Sequence, residues 1–166
     1  MTNDVSTFAR PDLFEHDTWS RKVEDLGALV TAMDGGVIDG AGLPYVLFGH
    51  SRGGVSVLLF AGRTAGDDSV RSPSCVITAA APCECNSLDD EHRQLLMAQG
   101  YLVSPSARTG QDLRVGRVFL DEQLADPEAH DVPALVSKIP CPVVAIHGVD
   151  DPCLLYTSDA ADEGHC

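Results

Sequence analysis

An α/β fold, mainly a parallel sheet with flanking helices, is what the order of apolar segments in this chain predicts. Short continuous apolar runs occur at Tyr45-Val46-Leu47-Phe48, at Cys75-Val76-Ile77-Thr78-Ala79 and at Pro142-Val143-Val144-Ala145-Ile146, each of a length that suits a buried parallel strand. Helical periodicity fills the stretches between them, and no internal repeat or low-complexity segment breaks the alternation. Strand, helix, strand, helices, strand in that order implies crossover connections, which are right-handed between parallel strands. Three strands are few for a sheet of this kind, so the chain is expected to be part of a larger domain.

Each element has its own signals. Trp19, Val23, Leu26, Val30 and Met33 recur at steps of four and three, giving an amphipathic helix with one apolar face. Asp17 or Thr18 can cap its start and Gly35-Gly36 ends it. Pro44 introduces the first strand. Gly49 to Gly54 reads as a tight turn, and Val55 to Ala65 as a second helix stopped by Gly66. The second strand ends before Pro82; a helix over Asp89 to Gln99 follows and is closed by Gly100. Val115 to Leu124 and Val132 to Lys138 are further helical candidates, and the third strand runs into His147-Gly148.

Composition excludes several functions. Apolar residues at 44% and charged residues at 22% are ordinary globular usage, and the longest apolar run, Val55 to Ala61, is far short of the roughly 20 residues of a membrane span. A formal charge of −14 repels polyanions, so nucleic acid and anionic membranes are not expected partners. The opening MTNDVSTFAR has no basic start leading into an apolar stretch, which argues against a secretory signal and for a cytoplasmic setting. Six cysteines without a framework spacing then read as free thiols.

The string CLLYTSDAADE over Cys153 to Glu163 resembles the in-frame translation of a transposon-based sequencing adapter. Residues 153–166, which include Cys153, His165 and Cys166, are therefore kept out of the fold reasoning. The domain is expected to occupy residues 1–152, and Met1 to be an internal methionine.

Gly49-His50-Ser51-Arg52-Gly53 matches G-x-S-x-G. Chance supplies such a match in roughly one chain in twenty of this length; its position between a strand and a helix is what gives it weight. A serine on a strained strand-to-helix turn projects its hydroxyl outward, and side chains in place of the flanking Gly49 and Gly53 are expected to clash with strand and helix. The amide of Arg52 and the helix N-terminus can stabilise an oxyanion. Such a serine needs a histidine to take its proton and an acid to orient the histidine, in the chain order serine, acid, histidine. Asp150 and Asp151, past the third strand, are the candidate acids. The histidine should lie beyond them. His50 is held by the elbow, His147 is expected to pack or hydrogen-bond at the strand end, and His16, His92 and His130 precede the acid and are expected at the surface. Cys83-x-Cys85 with Glu84 and His92 lacks the knuckle spacing and second pair of a zinc site, so no metal is expected. No G-x-G-x-x-G follows a strand, and no dinucleotide cofactor is expected.

Ser51 within VLFGHSRGG, the closing IPCPVVAIHGVDDP and the W-S-R-K-V-E-D-L helix together resemble the α/β-hydrolase superfamily over about Phe14 to Pro152. More narrowly they are similar to its esterase, lysophospholipase and dienelactone-hydrolase-like branch. The resemblance implies a partial α/β-hydrolase fold, with Asp151 as the acid and Asp150 its rival, and a helical cap inserted at about 82–139. Leu95, Leu96, Met97, Tyr101 and Leu102 would then line substrate, or simply pack. Family members carry further strands and a glycine-containing oxyanion loop before the region where this chain starts, and Met1 to Asp12 shows no such H-G segment. Dienelactone hydrolases proper use a cysteine, and some relatives with an aspartate in the elbow are dehalogenases; Ser51 departs from both. The implied activity is hydrolysis of carboxylic esters or thioesters by a serine hydrolase on a small-molecule substrate without cofactor, truncated here at both ends and inactive without its histidine. A peptidase or acyltransferase using the same site, or a non-catalytic binding module, are the alternatives.

Overall fold

The computed structural model describes residues 10–106 and 110–149. Among these, the residues up to Arg21 together with Asn86–Asp126 form one compact unit, and Lys22–Cys85 with the residues from Pro127 on form a second.

The second unit holds the sheet. Strands β1 (Val46–His50), β2 (Cys75–Ala79) and β5 (Val143–Ile146) lie in the order β1-β2-β5, all parallel. The register sets Leu47 beside Val76 and Gly49 beside Thr78, and Val76 beside Val143 and Thr78 beside Ala145. Helix α3 (Arg52–Arg63) covers one face and is buried continuously from Gly54 to Gly62, so it is the core of this unit rather than an amphipathic surface helix. Its far end is pressed against the short helix α6 (Val132–Val136): a Cβ on Gly62 would fall inside 3.0 Å of Leu135. Only glycine allows that approach.

The strands are less buried than their apolar runs predict. In β1 only Leu47 and Gly49 are buried, while Val46 and Phe48 stand 53% and 62% exposed. All four residues of β5 are exposed. Side chains alternate across a sheet, so Leu47 and Val76 share the face that α3 packs on, whereas Val46, Phe48, Val144 and Ile146 share the opposite face and stay exposed. A continuous apolar run marks a strand but does not say that both its faces are covered.

Helix α2 (Trp19–Asp34) forms with the expected stripe: Trp19 and Val30 are buried, and Val23, Leu26 and Met33 half-buried. Thr18 accepts from the Arg21 N–H, at 3.2 Å. The Glu122 carboxylate accepts from the Trp19 and Ser20 amides, so an acid more than 100 residues away supplies most of the cap. Past the helix, Arg71 ties down the chain that leads into β1. Its guanidinium pairs with Asp34 at 2.7 Å, donates to the Leu43 carbonyl and lies 4.8 Å from the Tyr45 ring centroid.

The first unit departs most from expectation. A five-residue helix α1 (Pro11–Glu15) precedes α2. Helix α4 (Asp90–Gln99) is ended by Gly100 at φ 85°, as the sequence predicts, and is capped by Asp89. An antiparallel hairpin of β3 (Tyr101–Pro105) and β4 (Asp112–Gly116) then appears where no strand is expected. The segment read as a helix from Val115 is strand up to Gly116, and the helix α5 spans Val118–Ala125. Leu96, Leu102 and Leu120 make the core of this unit, with Leu88 and Val115 packed on it. Leu96 and Leu102 therefore pack in this core; Leu95 and Met97 are exposed, and Tyr101 lies under the Arg114 guanidinium. A single 3-10 turn, Glu128–His130, leads on to α6.

Candidate functional site

Ser51 occupies the single residue between β1 and α3, and its backbone sits at φ 52°, ψ −127°. That region is essentially reserved for glycine, and a serine held there carries on the order of 1–3 kcal/mol of strain. Two sets of backbone bonds hold it. The Ser51 N–H donates to the Ala79 carbonyl of β2 at 2.9 Å, and the Ser51 carbonyl accepts from the Gly54 N–H at 2.8 Å. The side chain makes no capping bond to the helix that follows, and the residue is exposed. A strained backbone thus holds the hydroxyl at the surface, outside the local bond that a serine at a helix start ordinarily makes.

The glycines around it divide the steric work differently from expectation. A Cβ on Gly49 would fall inside 3.0 Å of Gly53 and Gly54 backbone atoms, so Gly49 is required by the closeness of strand to helix. A Cβ on Gly53 would meet nothing within 4 Å. The second tight position is instead Gly54, whose Cβ would collide with the Cβ of Ala81 and stand 3.2 Å from the Gly49 carbonyl oxygen. Gly54 lies outside the five-residue motif, and the doubled glycine after Arg52 was the sequence signal that could have found it.

Arg52 is the first residue of α3, where a helix directs its opening N–H groups outward. Removal of its guanidinium from water lowers the Arg52 pKa from the usual value, a shift the neighbouring Cys85 sulfur opposes. His50 ends β1 and is exposed.

The sheet edge that carries Ser51 also carries the end of β5. The Ala80 N–H donates to the Ile146 carbonyl at 2.9 Å, so the residues just past β1, β2 and β5, namely Ser51, Ala80 and His147, line one edge. With strands ~4.8 Å apart, Ser51 and the exit of β5 are separated by two strand spacings, about 10 Å. Asp150 and Asp151 lie outside the described residues. Ala80 is, with Ser51, one of the two described non-glycine residues at positive φ, at 47°.

The described histidines are dispersed. His147 is exposed at the end of β5; His16 is exposed at the end of α1; His92 stays on α4 with its ring on Asp89 at 2.8 Å. His130 is buried in the 3-10 turn rather than at the surface. Cys83 is exposed and Cys85 buried, and among the described residues no group of three His, Cys, Asp or Glu side chains could hold a metal ion. No described helix is long and apolar enough to cross a membrane. A shallow groove of about 490 Å³ is lined by residues of α2 (Lys22, Asp25, Leu26, Leu29), of β1 (Phe48) and of α3 (Gly53, Ser56, Val57). Ser51 is not among its walls.

No family model matches the chain, and neither does any curated protein. Solved structures do. The structure named "Putative hydrolase from Agrobacterium vitis S4" matches 80% of this chain and 61% of its own at 19% identity, with a TM-score of 0.52. The "Esterase domain from Rhodothermus marinus protein" matches 80% of this chain and 47% of its own at 23% identity, with a TM-score of 0.46. The chain thus spans less than two thirds of either neighbour's length. The first likeness shows the fold: a mixed α/β arrangement with a parallel three-stranded sheet and flanking helices.

Proposed function

We propose that this chain belongs to a serine hydrolase acting on carboxylic esters or thioesters, with Ser51 as its nucleophile. The observation that carries the reading is the φ 52°, ψ −127° conformation of Ser51 between a parallel strand and a buried helix. Strain of that kind is retained where the aim of a side chain matters more than the stability it costs. The fold likeness to a protein named a hydrolase supports it.

In the proposed reaction the Ser51 hydroxyl oxygen attacks the acyl carbonyl carbon while its proton passes to a histidine. Asp151, or its neighbour Asp150, holds that histidine in the accepting tautomer. The tetrahedral oxyanion is met by the Arg52 N–H at the start of α3. Collapse expels the alcohol or thiol, which takes the proton back, and water then hydrolyses the acyl-serine by the same steps. The histidine is assigned to sequence following Asp151. The segment at about 82–139 is assigned to the cap of the same site.

The test is to re-read the source DNA through and past codon 152, express its product and treat it with a fluorophosphonate probe. The reading expects a histidine codon downstream of Asp151, covalent labelling at Ser51, and loss of labelling in Ser51→Ala. Ester turnover without amide turnover would separate an esterase from a peptidase. A Ser51 that resists the probe in a product containing the downstream histidine would sink the catalytic reading in favour of a binding module.

A further inference from the structure

Arg52 follows Ser51 directly and is the first residue of α3. Side chains on a helix tilt toward its N-terminus, so from this position the stem leaves the helix on the side where Ser51 stands. The loop after β2 fixes where the head group lies. That loop is pressed onto the start of α3, since a Cβ on Gly54 would run into the Cβ of Ala81. Further along, it brings the buried Cys85 sulfur beside the Arg52 guanidinium. Ser51 is tied to the root of the same loop, through its N–H bond to the Ala79 carbonyl at 2.9 Å. Guanidinium and hydroxyl therefore share one short stretch of the sheet edge, where β1 and β2 end.

Arg52 is exposed as a residue, so a ligand can reach it, yet its guanidinium is drawn partly out of water. A cation that has lost hydration gains more from a bound anion than one in bulk water, because the effective dielectric around it is lower. Its planar fork of donors also matches the two oxygens of a carboxylate. The rest of the chain works the other way. With 25 acids against 11 lysines and arginines, its general field repels anions, and a local cation is what would hold one beside Ser51.

We infer that Arg52 is a specificity-determining residue, its guanidinium binding the carboxylate of an ester substrate that carries a second, ionised acid group; this rests on the reading of Ser51 as nucleophile. Half-esters of short dicarboxylic acids are the class that fits. In these the free carboxylate stands a short spacer away from the scissile carbonyl, a separation that the side chain next to the nucleophile can bridge. A neutral diester of similar size presents the same carbonyl to Ser51 but offers the guanidinium no charge.

The 166-residue chain tests this without turnover. Methyl hydrogen succinate, ionised at about pH 7, and uncharged dimethyl succinate are titrated in turn at low salt and followed by NMR. The monoanion is expected to bind about tenfold tighter or better, to shift the Arg52 Nε–H signal, and to lose its advantage as salt is raised. Arg52→Gln should bring the two affinities within about twofold of each other, whereas Arg52→Lys, which keeps the charge but not the fork, should keep part of the preference. Equal affinities in the unsubstituted chain, an Arg52 signal that does not move, or a preference that survives Arg52→Gln would overturn the inference. The Arg52 signal of the unsubstituted chain decides the matter even if a variant folds poorly. Fluorophosphonate labelling of Ser51 is read separately: labelling without an anion preference sinks the role of Arg52 alone, and an anion preference without labelling sinks the nucleophile alone.

Discussion

The Ser51 amide is bonded to the Ala79 carbonyl at 2.9 Å, which fixes the strained serine to the residue just before Ala80, itself at positive φ. Ala80 in turn donates to Ile146 at 2.9 Å. Two residues in unfavourable backbone conformations are therefore held by a continuous line of strand-end hydrogen bonds across all three strands. The sheet edge bears the strain, so relieving it at Ser51 should not disturb the sheet.

Ser51→Gly is accordingly expected to stabilise the fold, by ~1 kcal/mol or somewhat more, because glycine adopts this conformation without a Cβ penalty. Fluorophosphonate labelling should vanish in the same variant. Urea unfolding and probe labelling on one preparation check both; a destabilised Ser51→Gly would mean that the serine side chain is structural.

Gly54 and Gly53 should respond in opposite ways to a methyl group. Gly54→Ala puts a Cβ into Ala81 and is expected to cost ~1–3 kcal/mol, the usual penalty for overpacking. Gly53→Ala meets open space and is expected to be neutral or to gain up to ~1 kcal/mol from helix propensity. Denaturation midpoints for the two variants measure the contrast directly.

Within α4, adjacent residues should differ sharply. Leu96 is fully buried against Leu102 and Leu120, so Leu96→Ala is expected to cost ~2–5 kcal/mol. Met97 is 41% exposed, and Met97→Ala should stay within about 0.5 kcal/mol. Equal losses would place Met97 in a contact that its exposure does not suggest.

The cap of α4 carries a pH dependence of definite sign. The His92 N–H, then the His92 side chain, hold the Asp89 carboxyl below its ordinary 3.8. A depressed carboxylate contributes stability that is present above its unfolded pKa and is lost as pH falls through the folded one. Unfolding midpoints taken from about pH 5 down to about pH 2 should fall less steeply in Asp89→Asn, which retains a capping oxygen but does not ionise.

How far the sequence reaches depends on whether a feature is local. Periodicity and end signals located α2 and α4, because a stripe such as Trp19 to Met33 and a terminator such as Gly100 act within a few turns. The three parallel strands were equally legible as apolar runs, but their burial was not, since coverage of Phe48 or Ile146 depends on distant elements. The β3–β4 hairpin was missed although Leu102 and Leu113 mark its buried face; Val115 to Leu124 is apolar enough to pass for one helix unless Gly116 is read as a break. The capping of α2 by Glu122 has no local signal. At the site, the motif located Ser51 and its turn, whereas the sterically demanding glycine proved to be Gly54, because only the fold brings Ala81 against it.

The exposed apolar side chains of the sheet have a consequence for handling the molecule. Val46, Phe48, Val144 and Ile146 present oil-like area to water, and β1 and β5 each leave one side of the described sheet unpaired, an arrangement that favours self-association. The formal charge of −14 works against it, because like-charged copies repel at distances set by the ionic atmosphere. Colloidal behaviour should therefore invert the habit of many proteins. Dilute buffer keeps the chains apart, whereas moderate salt, by shortening that repulsion to about 8–10 Å, brings the exposed apolar side chains within reach of one another and turns a clear solution cloudy.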